Sequence, residues 1–117
     1  MSTFARRIRP FVSLELVAAA RAPDFATRFG HLERAHVLGQ ASTREHERVH
    51  FHMLACAWRH RDLREVAGQL FRLLGAALFT GIGLVPTGNT GGANVSAFRR
   101  MVIAPDLARR ISRAKTG

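Results

Sequence analysis

The sequence is poor in several residue types, and each shortage excludes a class of protein. Cys56 is its only cysteine, so no disulfide can form within the chain and a thiolate-rich metal site is excluded. Tyrosine is absent, and there is no aromatic-basic pattern of the kind that stacks RNA bases. The N-terminus lacks the apolar segment typical of a secretory leader. The single cysteine and the missing leader segment predict a cytoplasmic protein.

Long apolar runs are missing as well. The longest, Leu73 to Val85, has thirteen residues, three of them glycine, whereas a membrane-spanning helix needs about 20. No stretch alternates apolar and polar residues as a half-buried strand would. We therefore expect no membrane span and no sheet.

What is present is helical periodicity interrupted by proline and glycine. It predicts an all-α fold of antiparallel helical hairpins, with four main helices, a long glycine-rich loop and a short C-terminal helix. We expect one domain over residues 1–117, with a helical core at 10–79 whose first helix starts near Pro10, the loop at 80–100 and the last helix at 106–114. Ser42 and Asp62, each followed by a glutamate three residues on, form capping boxes that predict the starts of the third and fourth helices. These two helices resemble a tetratricopeptide-like pair in the spacing of Leu54, Ala55, Trp58, Ala67 and Phe71.

The fourth helix has two contrasting faces. Glu65, Gln69 and Arg72, at i, i+4 and i+7, form a polar stripe. Such a stripe is usually a solvated row of salt bridges, but it could instead contact the glycine-rich loop, because a long loop needs contacts that fix it. The opposite face is an apolar stripe of Leu63, Val66, Ala67, Leu70, Phe71, Leu74, Ala77 and Leu78.

Glutamate and histidine residues fall on the inward faces of the second and third helices. Glu33 and His36 lie on the apolar stripe of the second helix, and His46 and His50, one turn apart, lie on that of the third. If these helices fold back about a turn near Ala41, His36 lies level with His46, and Glu33 lies level with His50. Converging imidazole and carboxylate groups suit one divalent transition metal: Zn, Fe, Mn or Ni. The sequence therefore predicts these four residues as metal ligands.

Two interpretations without a metal stay open for this cluster. An ion pair between Glu33 and His50, completed by His36 and Gln40, would satisfy buried imidazoles as a purely structural hydrogen-bond network. A general acid–base pair is the other. With a metal, four protein ligands would close the site and indicate a structural or metal-handling role. Three histidines plus water would instead leave an open, hydrolytic or oxidative position.

The glycine-rich segment invites a comparison with phosphate-binding loops, because N–H groups in glycine turns can hold an anion. Its candidate cofactor-binding residues are Gly88, Asn89, Thr90, Gly91 and Gly92. No Gly-Lys-Ser/Thr follows them, so the nucleotide-binding motif is not matched. Two further interpretations are a pair of turns in which glycine and asparagine supply positive φ, and a lid over the site between the helices.

The charge of the chain is strongly one-sided, with eighteen basic residues against eight acidic ones and a net charge of +10. It favours an acidic protein or a nucleic acid as partner, or else forms a solvated basic surface. A helix-turn-helix is not indicated, because Glu45 and Arg48 stand where the recognition helix needs apolar residues. The alternative function is therefore a basic helical-hairpin interaction module. Its candidate partner-binding arginines are Arg6, Arg7, Arg9, Arg99, Arg100, Arg109, Arg110 and Arg113.

Several blocks of the sequence occur together in a specific order. They are the run HLERAHVLGQ at 31–40, the pair His46 and His50, Gly68-Gln69, and GNTGGANVS at 88–96. Over about residues 10 to 108 the chain resembles an uncharacterised family of small bacterial proteins, domain of unknown function 3703. The resemblance implies that Glu33, His36, His46, His50 and the Gly88–Ala93 loop match signature positions of that family, and that Glu47 does not. It implies no activity.

Overall fold

The computed structural model describes residues 2–79, 86–96 and 99–117. Within that part of the chain there are five helices and no strand, which confirms the all-α prediction. They are α1 (Thr3–Arg21), α2 (Phe25–Gly39), α3 (Thr43–Arg59), α4 (Leu63–Phe79) and α5 (Pro105–Thr116). Consecutive helices from α1 to α4 pack on one another, and α5 returns to pack on α1 and α2. Of the predicted glycine-rich loop, 80–85 and 97–98 lie outside the described residues.

Polar side chains mark the starts of the helices. The Ser42 hydroxyl accepts a hydrogen bond from the N–H three residues on at 3.4 Å, and the Asp62 carboxylate does so at 3.0 Å. Helices α3 and α4 therefore start where the sequence predicts, although Glu45 and Glu65 pair with other groups. Ser2 and Asp24 cap α1 and α2 in the same way. Each cap satisfies an N–H that helix geometry leaves without a partner.

The first helix is longer than its proline suggests. The expected start near Pro10 is wrong, since α1 begins at Thr3 and contains Pro10. Proline inside a helix removes one backbone hydrogen bond and costs about 3 kcal/mol. The extra turns bury Ala5 and Ile8 against the core, which offsets that cost.

The core lies among α1, α2, α3 and α5. Its fully buried members include Ile8 and Val12 of α1 together with Val49 and Met53 of α3. Leu107 and Ala114 on α5 close the open side of α1 and α2. Within the described residues, none of the helices combines the length and the apolar character that crossing a bilayer requires.

Two buried carboxylates pair with arginines at the edges of this core. Glu45 accepts hydrogen bonds from Arg9 at 3.3 Å and from Arg48 at 3.0 Å, while Glu15 accepts one from Arg110 at 3.3 Å. Two of the clustered arginines therefore serve ion pairs that hold helices together. The rest of the clusters is exposed: Arg6, Arg7, Arg99, Arg100, Arg109 and Arg113.

Helix α4 packs with its polar stripe inward. Glu65, Gln69 and Arg72 are buried, and within the described part of the chain the helix on which α4 packs is α3. The solvated row of salt bridges is therefore the wrong interpretation of this stripe. The apolar stripe faces outward, with Ala77 and Leu78 outside the described side chains; its exposed members are Leu63, Ala67, Leu70, Phe71 and Leu74.

Candidate metal centre

Three histidines from two helices converge in the interior. His36 comes from α2, and His46 and His50 come from successive turns of α3. The Nε2 atom of His36 lies 2.8 Å from that of His46 and 3.1 Å from that of His50, and the last two atoms are also 3.1 Å apart. All three side chains are buried. The hairpin of α2 and α3 thus gathers three ring nitrogens at one point.

A hydrogen bond at Nδ1 of His36 determines which of its two ring nitrogens carries the proton. Its Nδ1 lies 2.6 Å from the backbone carbonyl oxygen of Asn89. A carbonyl only accepts hydrogen bonds, so Nδ1 is the donor and a neutral His36 ring carries its proton there. Its Nε2 therefore presents a lone pair to the other two rings.

The ring of His50 is fixed in the same way by a side-chain amide. Its Nδ1 lies 2.5 Å from Oε1 of Gln69. The amide nitrogen of Gln69 donates to a Glu65 carboxylate oxygen at 2.6 Å and to the Gly91 carbonyl oxygen at 2.9 Å. Because both of those partners are acceptors, the amide oxygen must face His50. Nδ1 of His50 is then the donor, and its Nε2 also presents a lone pair.

Two buried lone pairs therefore face each other at 3.1 Å, and among the described residues it is His46 whose ring nitrogen lies within hydrogen-bond distance of both and could supply one proton. One such proton satisfies one lone pair at a time, and an unsatisfied buried acceptor is costly. A single cation would satisfy all three nitrogens together. A tetrahedral zinc ion holds its ligand nitrogens about 3.3 Å apart. Two of the separations here, at 3.1 Å, are close to that value, and the third, at 2.8 Å between His36 and His46, is shorter.

The three rings are held in the neutral form that binds metals. Burial, followed by the charges that His46 and His50 would carry, lowers the pKa of His36 well below its ordinary value. Burial and the neighbouring His50 lower the pKa of His46 to about 3. Burial, together with the positive charge of Arg72, lowers the pKa of His50 to about 4. All three imidazoles are therefore unprotonated at neutral pH.

The described part of the glycine-rich loop lies against these rings. Gly91 has φ +86°, and a Cβ atom built on it would lie 2.5–2.8 Å from three ring atoms of His36. Gly88 also has a positive φ, of +77°. The Asn89 side chain closes a turn by accepting a hydrogen bond from the Gly91 N–H at 2.9 Å. Glycine is thus required where the loop backbone passes the histidine.

The inward polar stripe of α4 fixes this loop. Arg72 donates hydrogen bonds to three loop carbonyl groups, those of Gly91, Gly92 and Val95. Both carboxylate oxygens of Glu65 accept from the Ala93 N–H, at 2.9 and 3.0 Å. The side chains of α4 therefore replace the sheet or helix partners that the loop backbone lacks.

The structure brings together three of the four predicted ligands. His36, His46 and His50 offer nitrogens within 4.8 Å of one another, and Glu33 is not part of that group. Glu33 is half-buried and hydrogen-bonded to Thr90, and its pKa is raised by burial and by the nearby charge of Glu65. The expected pairing of Glu33 with His50 is replaced by the bond from His50 to Gln69.

Sequence reasoning missed two groups that orient the rings, the Gln69 amide and the Asn89 carbonyl group. Gln69 does leave a signal, because it lies in the middle of the polar stripe on an otherwise apolar helix. Asn89 acts through its backbone, which any residue type supplies, so its identity gives no signal for this role. Gln40, the expected partner in a network, donates instead to the Pro86 carbonyl oxygen at 3.0 Å.

A family model described as "Protein of unknown function (DUF3703)" matches residues 6–111, which is most of the chain. The chain belongs to the DUF3703 family. The three histidines, Gln69 and Gly91 all fall within the matched range. No curated protein and no solved structure matches this DUF3703 chain. The family description names no activity, so the function has to be argued from the site itself.

Proposed function

We propose that this protein binds one divalent transition metal ion through the Nε2 atoms of His36, His46 and His50. The observation that carries the proposal is the pair of buried lone pairs, on His36 and His50, that hydrogen bonds on the opposite ring atoms direct toward one point. Metal-ligating histidines in proteins almost always donate their other N–H to a carbonyl or carboxylate group, as these two rings do.

The donor set narrows the choice of metal. Three neutral imidazoles without a thiolate suit Zn²⁺, Fe²⁺ or Ni²⁺ better than Mn²⁺, which prefers oxygen ligands. Zn²⁺ is the first ion to test, because three histidines are a known ligand set for it.

Three protein ligands leave one coordination position for water or a small ligand. Structural zinc sites are usually closed by four protein ligands, whereas catalytic sites keep the fourth position open. The proposed centre is therefore of the open kind, on which hydrolytic or oxidative chemistry is built. Glu33 stays outside the ligand set in this proposal.

The test is the metal content of the purified protein. We expect about one equivalent of metal per chain by mass spectrometry, and a melting temperature that falls on chelation and recovers with Zn²⁺. At a free Zn²⁺ concentration about 100 times the Kd, the gain in unfolding free energy is about 2.7 kcal/mol.

Two variants separate the centre from adventitious binding. His50→Ala should abolish the binding of one metal equivalent per chain. His52→Ala, at an exposed position of the same helix, should retain it. Metal-free protein from metal-replete cells, with no response of the melting temperature to Zn²⁺, Fe²⁺ or Ni²⁺, would contradict the proposal. The buried hydrogen-bond network would then account for the histidines.

Removing the Gln69 amide should weaken metal binding without abolishing it. Gln69→Leu leaves the Nδ1 donor of His50 without its acceptor, so the ring is no longer held in the binding orientation. Loss of such a supporting group typically raises the metal Kd by about 10- to 100-fold. Titration with Zn²⁺ measures the change, and Arg64→Ala, at an exposed position of the same helix, is the matched control. An unchanged Kd would show that Gln69 does not orient the ring.

A further inference from the structure

The outward side of the α3 and α4 hairpin is a broad apolar surface, which we name the outer hairpin face. It lies on the opposite side of α4 from Gln69 and the histidines. Its large side chains are 55–70% exposed: Phe51 and Trp58 on α3, with Leu63, Leu70, Phe71 and Leu74 on α4.

The outer hairpin face is too large to be ordinary surface variation. Six leucine, phenylalanine and tryptophan side chains exposed to this degree present on the order of 700 Å² of accessible surface. The largest apolar patch on a typical monomer covers about 300–600 Å² and often has a function. One partner in a standard protein interface contributes about 800 Å². The outer hairpin face thus has the extent of an interface.

The arrangement of small and large side chains on the outer hairpin face suits the packing of a helix against it. Ala55 lies six residues before Arg61 in the turn and Ala67 lies six after it, so these small side chains are level in the antiparallel hairpin, and both are exposed. Large side chains stand on both sides of them along the hairpin, Trp58 and Leu63 toward the turn and Phe51 with Leu70 away from it. The two alanines thus form a shallow depression between larger side chains, and such a depression can receive side chains from a packed helix. Of the five residues with tetratricopeptide-like spacing, Leu54 is half-buried and the other four are exposed: Ala55, Trp58, Ala67 and Phe71.

The charge around the face is positive. Arg44, Arg59, Arg61 and Arg64 are all exposed near its edges or its turn. Two acidic residues also lie near the face, Asp62, which caps α4, and Glu47, which is half-buried and has a partner, so the exposed arginines outnumber the carboxylates there by four to two. A second copy of the chain would place this basic rim against another basic rim, which is unfavourable. Acidic flanks on the partner would complement it.

We propose that the outer hairpin face binds an amphipathic helix of a partner protein whose apolar stripe is flanked by Asp and Glu. Leucine-like side chains of that helix pack over Ala55 and Ala67, and its carboxylates form ion pairs with the arginines at the edges of the face. No residue of the face is a proposed metal ligand, so this proposal does not rest on the metal centre.

The test uses Trp58, the only tryptophan of the chain, as the reporter. The probes are two designed helical peptides with the same leucine stripe, one flanked by glutamates and the other by lysines. We expect the acidic peptide to shift the Trp58 emission to the blue and to bind at least about tenfold more tightly than the basic one, with the difference reduced by salt.

A matched pair of variants locates the binding surface. Leu70→Glu should weaken acidic-peptide binding by at least about tenfold, since it places a like charge in the middle of the face. Leu14→Glu changes a comparably exposed leucine on α1, 62% exposed against 55% for Leu70, and should leave binding unchanged. Circular dichroism of both variants establishes that each is folded.

Four outcomes would overturn the proposal. They are an emission unchanged by the acidic peptide, equal binding of the two peptides, a dimer that buries Trp58 without any peptide, and a blue shift with phosphatidylglycerol vesicles but not with the acidic peptide. The third outcome would assign the face to a second copy of the chain, and the fourth to a membrane surface.

Discussion

Replacing Gly91 with alanine is expected to detach the loop from the histidines and to lower both stability and metal affinity. Gly91 has φ +86°, where a residue with a side chain is strained by about 1–3 kcal/mol. The new Cβ would also lie 2.5–2.8 Å from Cγ, Cδ2 and Nε2 of His36, so either the loop or the ring must move. Since Nε2 is a proposed ligand atom, we expect the Kd for Zn²⁺ to rise by at least about tenfold.

Urea unfolding and Zn²⁺ titration measure the two effects. The control is Gly30→Ala in α2, where an added Cβ meets nothing within 4 Å. In a helix interior this change should stabilise the protein by about 0.5–1 kcal/mol and leave metal binding unchanged. A Gly91→Ala protein with the stability and Kd of the parent would show that the loop does not lie against His36 in solution.

The convergence of the histidines could be predicted because it follows from local geometry alone. The helical period places His46 and His50 on one face, and the short turn near Ala41 sets His36 level with them. The same arithmetic places Glu33 near His50, but it contains no information on the loop. In the structure the loop offers the Thr90 hydroxyl to Glu33, and Gln69 occupies the place beside His50 that Glu33 was expected to take.

The orientation of α4 could not be predicted from its pattern. Amphipathicity identifies two faces of a helix, and the usual rule turns the apolar one inward. Here the neighbour on the inner side is loop backbone, whose carbonyl groups need donors more than they need apolar contact. Arg72 and Gln69 supply those donors, and Glu65 accepts from the Ala93 N–H. Which face turns inward was therefore decided by the loop, a non-local contact that periodicity does not record.

The metal-free protein is expected to lose stability steeply as the pH falls below about 6. In the unfolded chain the three histidines take up protons near pH 6.5, whereas in the fold burial lowers the pKa of His46 to about 3 and that of His50 to about 4, and lowers that of His36 well below its ordinary value. Between these limits the unfolded state binds up to three more protons than the folded state. Stability is therefore fully present above about pH 6.5 and declines as the pH falls toward 4.

The size of this effect follows from the proton count. Each additional proton changes the unfolding free energy by about 1.4 kcal/mol per pH unit, so three give a limit of about 4 kcal/mol per unit. Glu33 acts in the opposite direction, because its raised pKa lets the folded state take up a proton first, but it offsets at most one of the three. Against a total of about 5–15 kcal/mol for a domain, this loss is a large fraction of the stability.

Urea unfolding at several pH values between 7 and 4.5 measures the slope directly. His46→Gln should reduce the slope by about 1.4 kcal/mol per pH unit, because one of the three titrating rings is removed. Saturating Zn²⁺ should move the decline to lower pH, since protons and the metal compete for the same Nε2 lone pairs. A slope of one proton or fewer in the metal-free protein would show that the three rings are not buried together, and the proposed centre would lose its basis.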